Sequence, residues 1–423
     1  MAADSKLLRF TLIILAGLWL SGCAASSSRY EPAPQQLQAQ PVGDFDEYAR
    51  QVRNHLEQYR VAIDGFPLED QVAWNMPYEI PPATTCNADS ESVGILLVHG
   101  LSDSPYMFRD LANTLAARCV RVRTLLLQGH GTRPGDLVDA EADVWRAQVD
   151  AHFAALRETV DHAFIGGFSL GGALATERAL DPDQPAPAGL LAVAPAWELN
   201  GLRDYLWLAP YAAWFRDFVE EEPELNPVKY ESLAINAAAQ VADVRAGVQA
   251  ILSAREQIDL PLMLVATEAD SVINLPFLAQ QFKFRFEHPA SRMLVFRDTR
   301  ETLPELLNDP RIRSLNSYLP EARVLELSHM SLNIAPDNPL YGINGPLNRC
   351  LEPNGLTLQD CEALAEDDLW FGAWHPGALE VPTSRLTYNP YFDVVADTLT
   401  QFMQAALAGA DESPYTAIHE PDR

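Results

Sequence analysis

The stretch richest in chemistry in this 423-residue chain is Phe164 to Gly172, FIGGFSLGG, centred on Gly167-Phe168-Ser169-Leu170-Gly171. An apolar run, Ala163 to Gly166, enters it, and a helical pattern from Gly171 to Leu180 leaves it. A serine on such a strand-to-helix turn is held in a strained backbone conformation, and glycines on either side remove the clashes that side chains would meet there. The turn projects the Ser169 hydroxyl from the end of a sheet. The positive end of the following helix then faces the negative charge that develops when the oxygen attacks a carbonyl. Acyl transfer of this kind also needs two oxyanion donors, one from the residue after the nucleophile and one from the loop after a neighbouring strand. Leu96 to Pro105, LLVHGLSDSP, ends an earlier apolar strand and reads as that loop. The backbone N–H groups of Leu170 and Leu101 are the expected oxyanion hole.

Together, the HGLSDSP loop, the segment Gly129-His130-Gly131-Thr132-Arg133-Pro134-Gly135 and the GFSLG turn resemble the α/β-hydrolase superfamily, in its monoacylglycerol lipase-like and lysophospholipase-like branch. The resemblance covers about residues 90 to 400 and departs at Gln128, where the family commonly has Pro. It implies an α/β fold, a mostly parallel central sheet with helices on both faces and an inserted helical cap. It also implies a triad in the chain order Ser, acid, His. The acid should follow the apolar strand Leu260 to Ala266, where Glu268 and Asp270 both stand; the turn ATEADSVI resembles the family's own and favours Asp270. Of the nine histidines, position along the chain leaves His329 and His375, and His329 stands at the end of an apolar run, Ala322 to Leu327. His329 as general base implies an insertion of about 25 residues between Arg297 and Arg323. No metal or organic cofactor is expected, since the sequence holds no H-E-x-x-H pair or Cys-rich zinc pattern.

The elements that must position these residues follow from the pattern. Apolar runs at Val93 to Val98, Val120 to Leu127, Ala163 to Gly166, Gly189 to Val193, Leu260 to Ala266 and Ser291 to Phe296 are continuous rather than alternating. Helical segments at Tyr106 to Ala117, Trp145 to Thr159 and Gly171 to Leu180 lie between the earlier ones, the signature of a parallel sheet covered on both faces. Phe45 to Tyr59 has helical spacing, with His55 on its face. Between Val193 and Leu260 about 65 residues carry Trp197, Tyr205, Leu206, Trp207, Tyr211, Trp214 and Phe215. A cap over about 197 to 259 that shapes an acyl pocket is expected there.

Residues 1 to 23 read as an address. Lys6 and Arg9 precede the eleven apolar residues Phe10 to Leu20, too few to span a bilayer and in proportion to a secretory signal. Leu20-Ser21-Gly22-Cys23 resembles the lipobox of bacterial lipoproteins, which implies cleavage after residue 22, lipidation of Cys23 and, with Ala24 behind it, sorting to the outer membrane. Residues 23 to 44, rich in Ser, Gln, Ala and Pro, read as a flexible tether, 45 to 410 as one hydrolase domain, and 411 to 423 as a tail. Export places the remaining cysteines in an oxidising compartment, and spacing pairs Cys86 with Cys119 and Cys350 with Cys361.

Composition bounds the function. With 58 acidic and 30 basic side chains the chain carries -28, and removal of the first 22 residues, which hold a net +1, leaves -29. That excludes nucleic acid as the expected partner and makes lipid, rather than surface charge, the expected means of membrane attachment. The expected activity is hydrolysis of lipid-like or small carboxylic esters. A serine aminopeptidase or amidase of the same fold, and a catalytically idle envelope-binding lipoprotein, are the alternatives.

Overall fold

The computed structural model describes residues 29–37, 43–87, 91–201, 216–375 and 379–408. The signal segment, Cys23, the cap aromatics Tyr205 to Phe215 and the tail from 411 lie outside the described residues.

Helices α1 (Phe45–Tyr59) and α2 (Leu68–Asn75) precede the sheet. In α1 the positions Tyr48, Val52 and Leu56 are buried, four apart and on one face, and Asp44 caps the helix by accepting from the Asp46 N–H. The sheet then alternates strands with helices: β1 (Glu79–Ile80), β2 (Val93–Val98), α3 (Arg109–Ala117), β3 (Val120–Thr124), α4 (Ala142–Arg157), β4 (His162–Phe168), α5 (Leu170–Ala179), β5 (Leu190–Val193), α6 (Ile235–Ser253), β6 (Leu262–Thr267), α7 (Leu275–Arg285), β7 (Arg292–Arg297) and β8 (Ile312–Asn316). Its order is β1-β3-β2-β4-β5-β6-β7-β8, with only β1 antiparallel. This is the α/β-hydrolase sheet the resemblance implied. Strands β2, β4, β5 and β6 are almost wholly buried, which is why they read as unbroken apolar runs. A short helix α8 (Leu358–Ala363), a two-stranded parallel ribbon of β9 (Trp370–Gly372) and β10 (Thr383–Arg385), and the closing helix α9 (Phe392–Ala408) follow.

Three features differ from the sequence reading. The run Ala322 to Leu327 is not a strand: Arg323 takes a left-handed conformation and Val324 makes only single bridges to Leu319 and Phe371. The strand beyond β7 is instead Ile312–Asn316, an edge strand whose only buried side chain is Leu315, too little apolar pattern to stand out. The stretch between Arg297 and Arg323 therefore adds a strand to the sheet. Second, the last part of the long segment before Leu260 folds as α6 and packs on α5 and α4 as a layer helix, so the expected cap does not extend through 235–253. Third, part of the stretch read as tether is docked. Asp136 accepts from the Ala33 N–H at 2.6 Å, Gly135 donates to the Arg29 carbonyl, and the Tyr30 ring meets Phe218 edge-on.

Both expected disulfides form, Cys86 with Cys119 and Cys350 with Cys361. The first joins the segment entering β2 to the residue before β3, neighbouring parallel strands that start at the same end. Among the described residues no helix is long and apolar enough to cross a membrane.

Candidate functional site

The loops after β2, β4 and β6 open on one side of the sheet, at the carboxyl ends of its strands. The chain runs from β2 to β3 on one side and then crosses to β4 on the other. The crevice beside β2 is thus a topological switch point, the place where open α/β sheets bind ligands.

Ser169 sits between β4 and α5 with φ 53° and ψ -116°, the strained turn its neighbours suggested. The glycines are required by contact. A Cβ on Gly167 would stand 2.3 Å from the Gly171 backbone, and one on Gly171 would stand 2.0 Å from the Val98 carbonyl oxygen. The second contact presses the first turn of α5 against the end of β2, and so brings Leu170 beside the loop that carries Leu101.

That loop is pinned through Ser102, whose own φ is 63°. Its N–H donates to His130 Nε2 at 3.1 Å and its carbonyl accepts from the Tyr230 N–H at 2.8 Å. His130 in turn donates from Nδ1 to the Gln128 carbonyl at 3.0 Å, so its partners assign the neutral ring with the proton on Nδ1. His99 packs against it, accepting the Leu127 N–H at Nε2 and donating from Nδ1 to the Gly100 carbonyl. Burial lowers the pKa of both rings, that of His130 to about 4. They are structural histidines, as their place in loop motifs indicated. Gln128, where the family has Pro, is woven into the same loop by bonds with Gln148, Trp145 and Glu141.

His329 caps a short turn of 3-10 helix, Met330–Asn333. Its Nδ1 lies 2.7 Å from Asp270 Oδ2, and the other carboxylate oxygen accepts the N–H groups of Val272 and Ile273, both at 2.8 Å. Asp270 is thereby fixed as an acceptor, and His329 as the tautomer with its proton on Nδ1 and a lone pair on Nε2. The His329 ring packs on Phe168, the residue before Ser169, with centroids 4.6 Å apart. The loop carrying it is tied to β6 by Thr267, which donates to the Leu327 carbonyl, and to the residue after β10 by Ser328, which donates to the Leu386 carbonyl. The two runners-up go elsewhere: Glu268 faces Arg297 at 3.9 Å, and His375 pairs with Glu326 at 2.5 Å.

Residues 95–310, about half of the chain, match the model of the alpha/beta hydrolase family. The chain belongs to that family. The match takes in Ser169 and Asp270 and ends before His329. The thermostable monoacylglycerol lipase of Bacillus sp. (strain H-257) is 25% identical over 189 residues, covering 44% of this chain and 74% of that protein. Among solved structures, one from work on the metagenome-derived lipolytic enzymes LipS and LipT matches at a TM-score of 0.44 and 21% identity, over 52% of this chain and 86% of its own. The monoglyceride lipase of Saccharomyces cerevisiae matches at 0.44 and 12%, over 52% and 82%.

Sequence reasoning missed four groups that gather beside this site. Asp103, in the loop after β2, is a carboxyl whose burial raises its pKa to about 6 against the pull of Lys229, His329 and Arg385. Lys229 and Arg385 both reach Glu352, at 3.7 and 2.5 Å. The rarity of lysine, three in the chain, was the one available signal.

Proposed function

We propose that this alpha/beta hydrolase is a serine carboxylic ester hydrolase of lipase or esterase type, acting on lipid-like or small esters. The carrying observation is the strained Ser169 at the switch point, with the His329–Asp270 pair packed on the residue beside it. The name of the Bacillus relative supports a lipid ester as substrate.

Ser169 Oγ attacks the ester carbonyl while His329 Nε2 takes its proton, and Asp270 holds the imidazole orientation and stabilises its charged form. The oxyanion is met by the N–H groups of Leu101 and Leu170. The first residue of a helix has no intrahelical partner for its N–H, and the Leu101 N–H forms none of the bonds that tie its loop. As the ester C–O bond breaks, the imidazolium protonates the leaving alcohol. Water, deprotonated by the same nitrogen, then releases the acid from the acyl-enzyme.

Covalent labelling by a fluorophosphonate tests the reading. Wild type should be labelled and should hydrolyse p-nitrophenyl butyrate, and Ser169→Ala should do neither; hydrolysis unaffected by that substitution would end it. The reading extends to attachment of the domain to the outer membrane through lipid on Cys23. Cys23→Ser should release the protein from the membrane fraction, and continued sedimentation with membranes would refute the anchor.

A further inference from the structure

The segment Arg29 to Leu37, RYEPAPQQL, lies outside the family match, which begins at residue 95, yet it is keyed into the supports of the site. Its sequence prepares it for that. Ala33 stands between Pro32 and Pro34, which favour an extended chain and leave Ala33 as the only N–H donor of the three. That N–H donates to Asp136 Oδ1 at 2.6 Å, and Gln36 Nε2 donates to the same oxygen at 3.0 Å. Asp136 is fully buried, and both donors to this oxygen come from the segment. Gly135 makes room for the passing backbone, since a Cβ there would stand 2.4 Å from the Glu31 carbonyl oxygen. Leu37 packs on the α1 cluster of Tyr48, Val52 and Leu56, and Arg29 Nη2 donates to the Ala62 carbonyl at 2.9 Å. Ordering this stretch costs conformational entropy that a plain tether would keep.

Both sets of contacts lead on to the site. Asp136 Oδ2 accepts from the Thr132 hydroxyl, and the Thr132 N–H donates to the Tyr230 hydroxyl at 2.7 Å. The Tyr230 N–H is the donor that holds the Ser102 carbonyl, and its ring stacks on His130, the acceptor of the Ser102 N–H. On the other side Tyr30 donates its hydroxyl to the Glu222 carbonyl at 3.0 Å and sets its ring edge-on against the buried Phe218. Glu222 stands in the wall of a cavity of about 640 Å³ that opens on Ser271 and Val272, the residues after Asp270, and is shared by Lys229, Glu352 and Arg385.

Resting on the ester-hydrolase reading, we propose that residues 29–37 are a strap that positions the hydrolytic site from outside the family's own domain. Ala33 and Gln36 act through Asp136, Thr132 and Tyr230 on the loop that bears the Leu101 donor. Tyr30 acts through Glu222 and Phe218 on the cavity wall. All three are positioning residues and take no part in proton or acyl transfer.

Steady-state kinetics on the full chain test this, with rates divided by the amount of serine titrated with a fluorophosphonate so that unfolded protein does not count. Tyr30→Ala should raise KM for p-nitrophenyl octanoate about fivefold and leave kcat within about twofold, while Tyr30→Phe, which keeps the ring on Phe218, should recover most of the difference. Deletion of residues 29–37 should lower kcat for p-nitrophenyl butyrate about tenfold, because the support of the Ser102 loop is lost. A segment that only stabilised the fold would lower the melting temperature of these variants and move neither constant. Wild-type KM in Tyr30→Ala would overturn the strap's role whether or not the deletion folds, and a folded deletion with wild-type kcat would overturn it too. A wild type that neither takes the label nor hydrolyses p-nitrophenyl butyrate would overturn the hydrolase reading and the strap's role with it.

Discussion

The Ser102 N–H donates to Nε2 of a buried, neutral His130, which makes the loop bearing one expected oxyanion donor depend on the protonation of a histidine 28 residues away. Protonation of that nitrogen would replace its acceptor lone pair with a second donor and break the bond.

The sign of the resulting pH dependence follows from the lowered pKa. Between the unfolded value of about 6.5 and the folded value of about 4, the unfolded chain binds a proton that the folded chain refuses. The contribution of His130 is therefore complete above pH 6.5 and is lost as pH falls towards 4, by on the order of 3 kcal/mol. His130→Phe should be less stable than wild type at pH 7, and its disadvantage should shrink by about that amount at pH 4. Urea unfolding at the two pH values measures it.

The two competing acids and two competing histidines separate by kinetics. Asp270→Asn should lower kcat by roughly 10⁴, because the wrong tautomer of His329 is then favoured. Glu268→Gln and His375→Ala should stay within a few-fold of wild type, since their partners are Arg297 and Glu326. Rates of p-nitrophenyl butyrate hydrolysis decide it.

Gly171 should tolerate no side chain. Alanine there would drive a Cβ into the Val98 carbonyl, and Gly171→Ala should cost about 3 kcal/mol or more and lower activity by moving α5 away from the Leu101 loop. Gly43→Ala, with nothing within 4 Å of the added carbon, should lie within about 0.5 kcal/mol of wild type. Thermal melting of the pair supplies the comparison.

The two disulfides should differ in what their loss damages. They close separations of 33 and 11 residues, for which the chain-entropy model gives about 4 and about 3 kcal/mol. Serine at Cys86 and Cys119 should lower stability with little change in KM. Serine at Cys350 and Cys361 should also raise KM for ester substrates, because Cys350 is in the wall of the cavity beside Asp270. Melting temperatures and steady-state kinetics on the two double variants would show the contrast.

Several features were already legible in the chain, all of them written in neighbouring residues. The Ser169 turn is one, because Gly167, Ser169 and Gly171 meet each other locally. The apolar runs of β2, β4, β5 and β6 are another, because strands buried on both faces need no partner to be recognised. The disulfide pairs belong here too, since each joins segments whose positions follow from adjacent strands or a short loop.

Tertiary structure alone decided what depends on groups far apart in sequence. Asp270 and His329 are 59 residues apart, and the strand-end context that favoured His329 over His375 is absent from the fold; the path of the intervening loop brings the pair together, once β8 joins the sheet edge and Thr267 holds Leu327. The run Ala322 to Leu327 looked like a strand because apolar residues in a loop packed on the core share the composition of a strand, and only the absence of a continuous ladder separates them. The charged cavity is the extreme case. Lys229, Glu352 and Arg385 come from three distant segments, and their convergence beside the turn that follows Asp270 is a property of the folded chain that no local pattern encodes.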